Sequence, residues 1–204
     1  MINVVVFLFW HFTDDSDGSF MAQNFLVSWT ALAEGRYWVL LTSVFSHLMF
    51  FHLLLNMFVL NSFGSFLERA LGQRFFLIFY LIAGIVGSFT HAFVSAAIVG
   101  KPDLAALGAS GAISGLILLF ALMFPKEKIL ILGIIPVPAI WGGLICIGID
   151  VWGLSAQAGG GGLPIGHGAH LGGALAGVIC YFSIIRPRLQ EIQEMDRQRT
   201  TFLR

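Results

Sequence analysis

The sequence predicts an all-α polytopic membrane protein: a bundle of six transmembrane helices with the first one cut short. Three observations lead there. Of 204 residues, 57% are hydrophobic and only 11% are charged, whereas a soluble domain carries about a quarter charged residues. Mean hydropathy is +0.88. Five apolar runs, residues 46–66, 75–98, 108–124, 129–153 and 167–185, reach or approach the roughly 20 residues that cross the hydrocarbon of a bilayer.

Each element follows in order. Ile2 to Phe12 is apolar but too short to span from its first residue, so it reads as a first helix truncated at its N-terminus. It lacks the basic region and small-residue cleavage site of a signal peptide. Residues 13–45 form a long loop holding Phe20, Phe25, Trp29, Tyr37 and Trp38, an aromatic content suited to a segment lying in the membrane interface. The second helix, 46–66, carries His52 and Asn56, and the third follows over 75–98. Residues 99–107 lead to Ser110 at the mouth of the fourth helix, 108–124. The fifth, 129–153, contains Asp150. Gly159-Gly160-Gly161-Gly162 is a flexible linker, a natural hinge or gate. It leads to the sixth helix, 167–185, with His170 near its start. Beyond Arg186-Pro187 the tail is a polar, charge-mixed helix or a disordered end. Residues 1–185 therefore form the membrane domain and 186–204 a tail.

Charge orients the bundle. Arg69, Arg74, Lys126, Lys128, Arg186, Arg188, Arg197, Arg199 and Arg204 all fall on one side of a six-helix alternation. The other side has Arg36 and Lys101 beside Asp14, Asp15, Asp17, Glu34 and Asp103. Positive loops stay inside, so both ends are cytoplasmic, or matrix-side in an organelle. Net charge is zero, which implies no nucleic-acid or acidic partner. The partners expected are membrane lipids and whatever reaches the site through them. Cys146 and Cys180 both fall in predicted spans and read as small apolar fillers.

This orientation puts Ser110, His170, His52 and Asn56, from three helices, at one depth near the outer face. Polar groups in hydrocarbon are expensive to keep. A serine becomes a nucleophile beside a histidine base. Gly111 and Gly115, Gly168 and Gly172, and Gly173 and Gly177 make G-x-x-x-G spacings that let membrane helices pack closely and bring Ser110 to His170. His52 and Asn56, four apart, share a helix face and suit an oxyanion. Blander readings stand beside several neighbours. Ser114 lies about 6 Å deeper on the same face. His167 is nearer the loop and reads as solvated. His47 points about 140° from His52 and braces the first outer loop. His91 and Asn61 read as packing hydrogen bonds. Asp150, the one acid inside a predicted span, is a helix cap, a solvated end or a third catalytic member.

A transporter would show internal repeats and midplane ionisable sites, and neither is evident. No H-E-x-x-H occurs and no Cys/His cluster has zinc spacing, so a zinc protease lacks its ligands. One embedded acid cannot make an aspartyl pair.

Gly108-Ala109-Ser110-Gly111, His52-Leu53-Leu54-Leu55-Asn56 and Ala169-His170-Leu171-Gly172-Gly173 together resemble the rhomboid intramembrane serine proteases. Glu68-Arg69-Ala70-Leu71-Gly72 is similar to the family's E-x-R-x-x-G-type turn, with a slightly different order. Arg36-Tyr37-Trp38 resembles its Trp-Arg element with the order changed. The resemblance covers residues 36–185. It is strongest to the mitochondrial presenilin-associated branch and its bacterial relatives. It implies a rhomboid-like bundle in a bacterial inner membrane or a mitochondrial inner membrane. It further implies a Ser-His dyad without an obligatory acid, with Ser110 as nucleophile and His170 as base. His52, Asn56 and the Ser110 N–H would hold the oxyanion. The implied substrates are transmembrane proteins, cleaved near their outer ends without metal, ATP or other cofactor.

Overall fold

A computed structural model describes residues 1–12, 19–131 and 134–202. Asp14, Asp15, Asp17 and Arg204, counted above for orientation, lie outside the described residues. The chain is predominantly helical. Helix α1 (Ile2–Phe12) is followed by three short helices, α2 (Ser19–Phe25), α3 (Trp29–Ala33) and α4 (Val39–Thr42), and a 3₁₀ turn at Ser43–Phe45. Then come α5 (Phe50–Leu71) and α6 (Gln73–Ala97), α7 (Ser110–Met123), a β-hairpin of β1 (Lys128–Ile131) and β2 (Ile135–Pro138), and α8 (Ala139–Ala158). The last helical stretch runs through α9 (His167–Cys180), a π turn at Tyr181–Ile185 and α10 (Arg186–Phe202). Helices α5, α6, α8 and the α9–α10 stretch are long and apolar enough to cross a membrane, while α1 and α7 are shorter apolar helices. The protein is an integral, multi-pass membrane protein.

The structure corrects the sequence reading at one place and sharpens it at two. Residues 129–153 do not form one helix. The run opens as an antiparallel hairpin pairing Lys128 with Pro138 and Ile131 with Ile135, and the helix begins only at Ala139. Pro136 and Pro138 explain this, because proline cannot donate within a helix and suits the edge of a sheet. Second, of the two readings of the tail the helical one holds, and the helix runs on through Arg186-Pro187 without a break. The Arg186 N–H bonds back to the Tyr181 carbonyl, five residues away, and this π turn absorbs the helix disruption that proline brings. Third, residues 19–45 fold into a small unit with Met21, Val27, Ala31 and Val39 almost wholly buried. Its aromatic rings Phe20, Tyr37 and Trp38 remain exposed.

Helix α7 is the axis of the fold. Gly111, Ala112, Ile113, Gly115, Leu116, Leu118, Leu119, Phe120 and Ala121 are all buried, and a helix apolar on every side belongs inside a bundle. Its 14 residues extend about 21 Å at 1.5 Å per residue, against about 30 Å of hydrocarbon. Helix α7 is thus shorter than the hydrocarbon is thick. Helix α9 lies directly on it. A Cβ on Gly115 would come 2.8 Å from the Gly173 carbonyl oxygen, one on Gly177 would come 2.6 Å from that of Gly115, and one on Gly173 would overlap that of Gly111. The two G-x-x-x-G faces thus meet backbone to backbone, as small-residue packing in lipid allows.

Gly173→Ala should therefore lower stability by about 1–3 kcal/mol or more, as overpacking a filled contact does. Gly148→Ala, where a Cβ would meet nothing within 4 Å, should be neutral or slightly stabilising. Thermal unfolding of the two variants in detergent checks the contrast.

Candidate active site

The turn that presents Ser110 depends on glycine. Gly108 has φ +119°, in the region open mainly to glycine. A Cβ there would lie 2.7 Å from the His52 ring, so the imidazole rests on the bare backbone. The turn is clamped from behind. The Gly108 N–H donates to the Ser43 carbonyl at 2.9 Å, and the Ala109 N–H donates to His47 Nε2 at 3.4 Å. His47 is fully buried with its ring centroid 5.0 Å from that of His52. It braces the serine turn and the His52 ring together, where the sequence suggested the first outer loop. That outer unit is tied to the same turn by the paired backbone bonds of Val27 and Ala106, 3.0 and 2.9 Å.

The close α7–α9 packing brings Ser110 and His170 into contact. The Ser110 hydroxyl donates to His170 Nε2 at 2.8 Å. On the other side of the ring, His170 Nδ1–H donates to Asp150 Oδ1 at 2.9 Å. A carboxylate has only acceptors, so it fixes the proton on Nδ1 and leaves the Nε2 lone pair facing the serine. His167 Nδ1–H donates to the same oxygen at 2.7 Å. Asp150 and His167 are buried. Of the sequence readings of Asp150, the helix cap and the solvated end are corrected while the third catalytic member stays open, and the solvated reading of His167 is corrected. The shift of α8 by the hairpin is the cause. The helix ends at Ala158, not near 153, so Asp150 lies eight residues, about 12 Å, inside that end.

His52, Asn56, Ser110, Ser114, Asp150 and His170 all border one cavity of about 900 Å³. The four residues singled out in the sequence therefore share a site. Asn56 is buried. Its Nδ2 donates to the His52 carbonyl at 2.9 Å, leaving a second N–H. Ser114 lies one turn deeper in the same cavity, but the imidazole nitrogen is on Ser110. His91 packs as expected, its Nε2–H on the Leu104 carbonyl at 3.0 Å. Asn61 is exposed and meets only Ser65 of its own helix, at 3.4 Å, among the described hydrogen bonds; it does not bridge helices. Cys180 is buried and Cys146 exposed, both as free thiols. The glycine run after α8 is not free of contacts. Gln157 Nε2 donates to the Leu163 and Ile165 carbonyls, each at 2.8 Å, and fastens the loop to the end of α8.

The chain matches the Rhomboid domain family over residues 34–187. It is 33% identical to the mitochondrial RHOMBOID-like protein 12 of Arabidopsis thaliana, over 92% of this chain and 57% of that protein. It is 36% identical to the mitochondrial Rhomboid protein 1 of Saccharomyces cerevisiae, over 67% of this chain and 39% of that protein. The mitochondrial presenilin-associated rhomboid-like protein of Homo sapiens is 34% identical, over 68% of this chain and 36% of that protein. The chain thus spans about half, or less, of the length of these relatives. With the motifs, the α7–α9 packing and the domain match in agreement, the chain belongs to the rhomboid family.

Proposed function

We propose that this protein is an intramembrane serine endopeptidase that cleaves transmembrane segments of membrane proteins near the outer leaflet. The observation that carries the reading is the 2.8 Å contact of the Ser110 hydroxyl with His170 Nε2, at the head of a buried helix and open to a large cavity. Ser110 is the nucleophile and His170 the base that takes its proton and returns it to the leaving amine. Attack on the scissile carbonyl creates an oxyanion. His52, the second N–H of Asn56 and the Ser110 backbone N–H, left free at a helix start, are the donors positioned to hold it. Family membership supports the substrate class, and the shortness of α7, which leaves room for Ser110 to lie below the membrane surface, supports cleavage there. In this reading α1 and α7 complete a six-span bundle of residues 1–185, residues 186–204 form an inner tail, and substrates arrive through the surrounding lipid.

Asp150 joins the dyad in this reading, supported by its 2.9 Å contact with His170 Nδ1. It holds His170 in the tautomer that accepts from Ser110 and stabilises the imidazolium that forms. Cleavage of a transmembrane reporter in proteoliposomes tests this. The unaltered chain should cut the reporter within its membrane segment. Asp150→Asn should lower kcat by roughly 100- to 10,000-fold. Unchanged turnover in Asp150→Asn would reduce the machinery to a dyad, and an uncut reporter under all conditions would remove the protease reading.

A further inference from the structure

The reaction needs one imidazole on Asp150, and the structure has two. His167 takes no part in the proposed chemistry, yet it is 3% exposed and aims Nδ1 at the oxygen that His170 uses. Asp150, His167 and His170 each offer a ligand atom, and these atoms all lie within 4.8 Å of one another. The two rings stand at 83° with centroids 6.4 Å apart, so their Nδ1 atoms converge on the carboxylate from different directions. The His167 ring is set firmly in place: it fills the space over Gly153, where any Cβ would overlap it. Gly153 lies three residues after Asp150, on the same face of α8. All three residues border the cavity, so the cluster has a route of entry.

We propose that Asp150, His167 and His170 form an inhibitory binding site for a divalent transition-metal ion, with Zn²⁺ as the ion it fits. Two imidazoles and a carboxylate are a zinc ligand set, with the fourth position left to a solvent molecule from the cavity. Calcium and magnesium prefer all-oxygen ligands and are excluded by the same chemistry. The ion takes the place of the two Nδ1 protons. Each ring stays neutral and keeps one proton, relocated from Nδ1 to Nε2 by exchange with solvent. For His170 this reverses the hydrogen bond to Ser110. Nε2–H now donates, and the lone pair that would accept the serine proton is gone. Zinc is therefore an off-switch acting on the base, not a cofactor. Sequence spacing did not reveal the site, because Asp150 lies on a different helix from the His167/His170 pair.

The inhibition rests on the protease reading; the binding does not, and the two are measured separately. Binding is measured on the detergent-solubilised Ser110→Ala chain, which keeps all three ligands, by competition for Zn²⁺ with a chromophoric chelator. One Zn²⁺ per chain is expected, with a zinc-dependent rise in melting temperature. His167→Gln and His167→Ala should each weaken binding by at least about tenfold, whereas His11→Ala, at an exposed histidine, should not. Cleavage is measured on the otherwise unaltered chain. Zn²⁺ should stop it, a chelator should restore it, and His167→Gln should raise the inhibiting concentration by at least about tenfold. Zinc binding that ignores both His167 substitutions, or no binding at micromolar free Zn²⁺, overturns the site. Binding with full cleavage at saturation overturns the switch. Binding at this site in a chain that never cleaves upholds the site and removes the protease reading instead.

Discussion

Ser110→Ala is expected to abolish cleavage of a transmembrane reporter, by a factor on the order of 10⁴ or more, while leaving expression, helix content and melting temperature unchanged. The loss is chemical. No other hydroxyl stands on the His170 lone pair among the described residues. The fold should tolerate the change because the serine is only half-buried at the first position of α7, and its one interhelical hydrogen bond, to His170, is small beside the backbone-to-backbone packing of α7 on α9. Ser114→Ala is the paired control. It lines the same cavity one turn deeper, and its activity should stay within a few-fold of the parent. Loss in Ser114→Ala with retention in Ser110→Ala would move the nucleophile down one turn.

His170→Ala should be as damaging as Ser110→Ala, and the double variant little worse than either. Residues that act as one unit are non-additive: once the base is gone the serine is an ordinary alcohol, and removing it costs little more. The double-mutant cycle in kcat/KM should therefore show a coupling nearly as large as either single loss. Additive losses would mean that the two side chains serve separate steps. His170→Ala also strips Asp150 of one of its two donors, so its melting temperature must be read alongside. Ser110→Ala leaves both donors of Asp150 in place and removes only the bond to His170 Nε2, so the comparison separates chemistry from stability.

Much of this site was legible in the sequence because its parts have local signatures. The Gly111/Gly115 and Gly173/Gly177 spacings specify backbone-to-backbone packing of α7 on α9, and that packing brings Ser110 to His170, while Gly168 and Gly172 seat α9 on α6 instead. His52 and Asn56 fall on one face by helix periodicity alone. What was not legible depended on a boundary. An apolar run of isoleucine, leucine and glycine reads the same as strand or helix, so residues 129–138 were absorbed into the fifth helix. Pro136 and Pro138 were the signal against it. That error put Asp150 near the end of the helix, where a cap and a solvated end competed with a catalytic role. With the boundary at Ala139, the acid lies within the helix and reaches His170 Nδ1 at 2.9 Å, the contact on which its proposed catalytic role rests. His47 was misplaced for a related reason: helix geometry was applied to a residue that precedes α5, whose first residue is Phe50. The fastening of the glycine linker by Gln157 is a tertiary hydrogen bond to carbonyls six and eight residues away, and no composition rule anticipates it.

The measurement closest to the central claim is covalent labelling with a fluorophosphonate in detergent, with the adduct mapped by mass spectrometry. The reagent reports a serine activated by a base, whatever the natural substrate. A single adduct on Ser110, absent in His170→Ala and reduced in Asp150→Asn, is the predicted result. An adduct on Ser114, or on Ser110 at equal yield in His170→Ala, would contradict the account.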